Sequence, residues 1–140
     1  MIVPRLILML CLPVLLAFAA GDDPRKRYQK EIDHASLQID AARKAYQAGS
    51  TAAFQSALSE IAAATERCDQ ILRAPGKNNA RNLGQFKKAE IRLREILRRL
   101  DQLTNETAVD DRKPIQAARE VVQRIHDQLL VDITSRRKLN

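Results

Sequence analysis

Apolar residues recur along most of this chain at alternating steps of three and four, the spacing that lines side chains along one face of an α-helix. The pattern is strongest from Phe86 to Leu103, and three other stretches repeat its rhythm. No stretch alternates with the two-residue period of a β-strand. The pattern therefore predicts an all-α protein, with helices over residues 24–48, 51–74, 83–103 and 112–137.

Residues that favour helix ends mark the boundaries of these stretches. Asp23 followed by Pro24 is typical of a helix start, and Gly49 of a helix end. We expect Asp110 or Asp111 to cap the fourth helix. Four helices joined by short connections predict an antiparallel up-down-up-down four-helix bundle. A three-helix bundle, with one helix broken or docked elsewhere, is the alternative.

Each predicted helix carries one apolar seam, meaning the row of residues at the three-and-four spacing. A seam this narrow suits helices that bury one stripe against their neighbours in a bundle. We expect the four seams to form the core: Tyr28, Ile32, Ala35, Ile39, Ala42 and Tyr46; Phe54, Ala57, Leu58, Ile61, Ala64, Thr65, Cys68, Ile71 and Leu72; Phe86, Ala89, Leu93, Ile96, Leu97, Leu100 and Leu103; Ile115, Ala118, Val122, Ile125, Leu129 and Ile133.

The first twenty residues follow a different pattern. A short cationic start, Met1–Arg5, precedes the apolar run Leu6–Ala20, and Ala17-Phe18-Ala19 matches a signal-peptidase site. The apolar run is short for a membrane span. We interpret residues 1–19 as a signal peptide and residues 20–140 as one helical domain of an exported protein, periplasmic or secreted. A retained membrane anchor is the alternative.

Charge is distributed unevenly along the chain. The formal net charge is +7, and residues 76–103 alone carry +5. The cations there alternate with the third seam, which predicts a cationic strip able to dock an anionic partner. A merely solvated helix face is the alternative, and it is favoured by the i,i+4 spacing of Glu90 with Arg94 and of Glu95 with Arg99. The candidate surface consists of Arg81, Lys87, Lys88, Arg92, Arg94, Arg98 and Arg99.

Motifs of catalysis and cofactor binding are missing from the sequence, which has no Gly-rich phosphate loop, G-x-S-x-G, H-E-x-x-H or C-x-x-C-H. Cys68 falls on the second seam, so we expect a buried, inert thiol and not a nucleophile or an intermolecular disulfide. A di-iron bundle requires Glu-x-x-His on two helices, and only His34 has a Glu, Glu31, three residues before it; His126 follows Gln123 at that spacing. We expect no enzymatic activity, no cofactor and no metal, with metal or haem carriage as an alternative that rests on the two histidines.

Binding is therefore the predicted function. We expect an exported, non-catalytic bundle that docks through its third helix to an anionic envelope surface or an acidic protein, as a monomer or weak homo-oligomer. Export argues against nucleic acid as the partner, and no small-molecule substrate is indicated. The alternative is a holdase-like envelope chaperone. The LTxxQ pattern of small periplasmic helical chaperones is absent, since Asn105, Glu106 and Thr107 follow Leu103-Thr104.

Overall fold

The fold is an all-α four-helix bundle, which confirms the predicted fold class. The structure, a computed structural model, describes residues 23–74 and 83–137. No helix end differs from its predicted position by more than two residues. The helices are α1 (Pro24–Gln47), α2 (Thr51–Arg73), α3 (Leu83–Asn105) and α4 (Lys113–Arg137), with a short 3₁₀ turn at Val109–Asp111 between α3 and α4.

Two of the sequence predictions fall on residues that the structure does not describe. They are the signal peptide at residues 1–19 and the candidate surface residue Arg81. Across residues 23–74 and 83–137, no helix combines the length and the apolar character needed to cross a membrane.

The ends of α1 follow the sequence signals, whereas the start of α4 does not. Asp23 accepts a hydrogen bond from the backbone N–H of Arg25 at 3.0 Å, which confirms it as the N-cap. Gly49 has a φ of +74°, the left-handed conformation that glycine adopts most readily. The predicted cap of α4 is wrong, because Asp110 and Asp111 belong to the 3₁₀ turn and the helix begins after it.

The side chain of Tyr46 binds Asp111, which therefore does not cap α4. Its hydroxyl donates to the Asp111 carboxylate at 3.0 Å and accepts from the backbone N–H of Ala108 at 3.0 Å. Its ring packs against Phe54 with the centroids 5.1 Å apart. This side chain therefore ties the α3–α4 connection to the α1–α2 turn.

The order of the helices around the bundle is α1, α2, α4, α3. Ion pairs fix their directions. Arg92 pairs with Asp33 and Arg99 with Asp40, so the same offset of 59 residues recurs and α1 and α3 run parallel. Across α2 and α4, which are also parallel, Arg73 pairs with Asp132. The molecule thus consists of two antiparallel hairpins, α1/α2 and α3/α4, packed so that α1 contacts α3 and α2 contacts α4.

The four seams meet in one apolar core. Every predicted seam residue is buried except Tyr46 and Ile71, which are partly buried at the edge of the core. Glu90 and His126 are also buried, at 5% and 8% exposure, and neither was predicted to be. The core therefore also encloses polar side chains, whose burial the spacing of the apolar residues does not predict.

Candidate functional site

Carboxylates of α1 neutralise two arginines of the predicted strip on α3. Arg92 pairs with Asp33, and Arg99 lies 2.7 Å from Asp40 and 3.1 Å from the backbone carbonyl of Ser36. Both contacts depend on the parallel packing of α1 beside α3. Two of the strip's arginines therefore fasten the two hairpins together.

The other two arginines of the strip pair within α3. Arg94 donates to Glu90, and Arg98 donates to Glu95. Asp101, the third carboxylate of α3 in this stretch, lies 2.7 Å from Arg119 of α4 and does not neutralise the strip. All four described arginines of the strip thus have a carboxylate partner inside the molecule.

Lys87 and Lys88 are different, since neither has an ion-pair partner among the described residues. The parallel packing brings their end of α3 beside the first turn of α1, where Arg25, Lys26 and Arg27 are exposed and likewise lack such a partner. We call these five residues the cationic end. It retains part of the predicted surface and adds three residues that the sequence assigned only to a helix start.

The backbone makes the cationic end more positive. The N-termini of α1 and α3 lie at this end, and a helix N-terminus carries a partial positive charge that disfavours nearby cations. Neither helix has an acidic residue in its first turn, and Asp23 at the cap of α1 is the nearest carboxylate along that helix. The arrangement is electrostatically unfavourable for the isolated molecule.

A shallow groove of about 260 Å³ lies between α1 and α3 next to the cationic end. Ile91, on the rim of this groove, leaves 58% of its area exposed although it is a large aliphatic residue. Lys87 and Lys88 precede it by four and three residues, so they share its side of the helix. The groove is lined by Tyr28, Gln29, Ile32, Lys88, Ile91 and Arg92.

Glu90 and His126 form the buried polar contact between α3 and α4. His126 Nε2 lies 2.9 Å from Glu90 Oε1, and its Nδ1 lies 3.3 Å from Asp127 Oδ1. Burial alone would raise the pKa of Glu90, but the hydrogen bonds from Arg94 and His126 outweigh burial and hold this pKa below its usual value.

The sequence did contain a signal for this contact. Glu90 lies four residues after Phe86 and three before Leu93, so it occupies a seam position. His126 has the same spacing from Val122 and Leu129. A charged residue on one seam and a histidine on the seam of the adjacent antiparallel helix indicate a buried pair, although neither residue is apolar.

His34 makes a similar contact nearer to solvent. Its Nε2 lies 3.0 Å from Glu60 Oε1, and Arg67 donates to the same oxygen at 2.6 Å. His34 and His126 belong to diagonally opposite helices and each contacts its own carboxylate. In residues 23–74 and 83–137, no group of three or more His, Cys, Asp or Glu side chains has the arrangement of a metal site.

Cys68 is a free cysteine in the core, which confirms its predicted burial. Burial raises the pKa of its thiol to about 12, and the negative charges of Asp69 and Glu31 act in the same direction. The reactive thiolate is therefore scarce at neutral pH.

We expect Cys68 to resist a thiol reagent at pH 8 in the folded protein and to react fully in denaturant, since unfolding exposes it and returns its pKa to about 8.5. The rate of labelling, followed by absorbance with and without urea, measures this. Cys68→Ala should lower the free energy of unfolding by about 1 kcal/mol through a small cavity. Rapid labelling without urea would contradict the prediction.

Comparisons with protein-family models, with curated proteins and with solved structures returned no significant match. The function must therefore be argued from the residues of this chain.

Proposed function

We propose that this protein is an exported, non-catalytic interaction module that docks its cationic end onto an anionic macromolecular surface. The observation that carries the proposal is the contrast between α3's arginines, which are paired, and the five cations of the cationic end, which have no carboxylate partner among the described residues. Charge left uncompensated on a surface attracts a partner of opposite sign.

The helix ends add to this argument. Arg25, Lys26 and Arg27 in the first turn of α1 oppose the dipole of that helix, and they repel Lys87 and Lys88 in the second turn of α3, which lowers the stability of the free protein slightly. A local rule of stability is often broken where a protein meets its ligand. An anionic surface placed at this end would offset both effects, so binding should also stabilise the fold.

The buried polar groups support a non-catalytic function. Glu90 and His126 are buried in the α3/α4 contact and bond to each other, and Glu90 also accepts from the exposed Arg94, so both buried groups hold the two helices together. The apolar seams face inward as well, which favours a docking module over a holdase-like chaperone. Such a chaperone needs a larger exposed apolar surface than the separate side chains that remain exposed here.

Binding of fluorescently labelled poly-L-glutamate at low salt tests the proposal. We expect binding that weakens steeply between 50 and 300 mM salt, since exposed charges are screened within about 10 Å at 0.1 M. Lys87→Glu/Lys88→Glu should reduce the affinity at least tenfold. Arg92 and Arg99 are unsuitable for reversal, because glutamate there would face Asp33 and Asp40 and weaken the fold.

The matched control is Lys44→Glu/Lys113→Glu, which makes the same change in net charge at the opposite end of the bundle. Both lysines are exposed and lack an ion-pair partner among the described residues. Equal loss from the two double variants would mean that net charge alone acts, and the proposed site would be wrong. No binding by the unmodified protein would overturn the proposal as a whole.

A further inference from the structure

We infer that the anionic partner is the surface of a phospholipid bilayer, with Ile91 entering the interface between the headgroups. The inference rests on the proposed function and names the partner of the same cationic end. It draws on three features of that end: an exposed aliphatic side chain, the kind of cation around it, and the geometry of α1 and α3.

The aliphatic side chain is the first feature. Ile91 is 58% exposed, within one helical turn of Lys87 and Lys88, on the rim of a groove floored by Tyr28 and Ile32. Cations that surround an exposed aliphatic residue are typical of helices that lie in a membrane interface. Poly-acidic segments offer no apolar layer to receive such a side chain, whereas a bilayer does.

The kind of cation is the second feature. The arginines of α3, which could hold a partner's carboxylates in paired hydrogen bonds, are already bonded within the protein. On α3 only the lysines remain, and with Lys26 they make three of the five residues of the cationic end lysines, whose ammonium group is a point charge that requires no fixed geometry. That property suits phosphates that move laterally in a bilayer better than it suits fixed carboxylates on a folded acidic protein.

The geometry of α1 and α3 is the third feature. The offset of 59 residues places Gln29 of α1 level with Lys88 of α3, and both line the same groove. Arg25, Lys26 and Arg27 therefore lie within about one helical turn of Lys87 and Lys88 along the bundle axis. Cations on two parallel helices at one level can reach a flat surface together, and each adds about fivefold to the affinity for anionic lipid.

Sedimentation with phosphatidylcholine vesicles, with and without 25% phosphatidylglycerol, tests the inference. We expect binding only to the vesicles that contain phosphatidylglycerol. Ile91→Ser should weaken this binding roughly fivefold, because the exposed part of an aliphatic side chain is then no longer transferred from water into the bilayer. The same substitution should leave binding to poly-L-glutamate unchanged, because it removes no charge.

Leu37→Ser is the matched control. Leu37 is 65% exposed on α1 but lies outside the cationic end, four residues after Asp33 and three before Asp40. We expect it to leave vesicle binding unchanged. Equal effects of Ile91→Ser and Leu37→Ser, or equal binding to neutral vesicles, would overturn the inference.

The two proposals fail in different ways. Binding to poly-L-glutamate without binding to phosphatidylglycerol vesicles would reject the bilayer as partner and leave the proposed function standing. Absence of binding to both probes would reject both proposals.

Discussion

Replacing His126 with alanine is expected to lower the free energy of unfolding by about 3 kcal/mol, because it leaves the buried Glu90 carboxylate without one of its donors. Glu90→Ala should lower it by a similar amount, since the imidazole then loses its carboxylate in the same buried setting. The double variant should be less destabilised than the sum of the two. Urea unfolding at pH 7 gives the coupling energy of this double-mutant cycle, which we expect to be about 2 kcal/mol.

The contact between His34 and Glu60 supplies a control with the same chemistry and nearly the same length. Its distance is 3.0 Å against 2.9 Å for His126 and Glu90, but its side chains are 42% and 38% exposed. Solvent weakens an exposed pair, so the same cycle with alanine there should give less than 1 kcal/mol. Equal coupling in the two cycles would mean that burial does not strengthen the contact between Glu90 and His126.

The pKa of Glu90 adds a pH dependence to this result. Because its folded-state pKa lies below its value of about 4 in the unfolded chain, the carboxylate stabilises the fold above pH 4. That contribution is lost as the pH falls through the lower folded-state value. The unmodified protein should therefore lose more stability between pH 5 and pH 3 than Glu90→Ala does, and parallel losses would contradict the assigned role.

Leu100→Ala should also be strongly destabilising. Leu100 is fully buried on the seam of α3, and removing three carbons leaves a cavity in a core where all four helices meet. Substitutions of this kind lower the free energy of unfolding by about 2–5 kcal/mol. For a domain of this size the midpoint of thermal unfolding should fall by roughly 10 °C, as measured by circular dichroism.

Leu37→Ala makes the same chemical change at an exposed position on α1. It should alter the free energy of unfolding by no more than about 0.5 kcal/mol, because folding buries little of the Leu37 side chain. A similar loss from Leu37→Ala and Leu100→Ala would mean that the register of the α1 or α3 seam is wrong.

The sequence predicted the helices and the core well, because a helical seam is a local pattern. Leu93, Leu97 and Leu100 share a face whatever the neighbouring helix is, so their burial could be inferred from spacing alone. The cap of α4 was assigned wrongly because Asp111 bonds to Tyr46, a residue far away in sequence. A cap motif cannot reveal such a competing partner.

The surface was predicted less well, because its charges depend on which helices are neighbours. The sequence predicted that Arg92 and Arg99 are available to an anionic partner. In the structure α1 lies beside α3, and Asp33 and Asp40 of α1 pair with these two arginines. The same arrangement brings Lys87 and Lys88 next to the first turn of α1. Seam spacing is the same for any order of helices around a bundle, so the sequence alone could predict neither outcome.

The division into two antiparallel hairpins also bears on how the chain folds. Each hairpin joins helices adjacent in sequence, and only a few residues separate α1 from α2. The chain can therefore close short loops before distant residues have to meet, which is the condition for rapid folding. The pairs of Asp33 with Arg92 and of Asp40 with Arg99 connect the hairpins, so we expect these late contacts to affect the unfolding rate more than the folding rate.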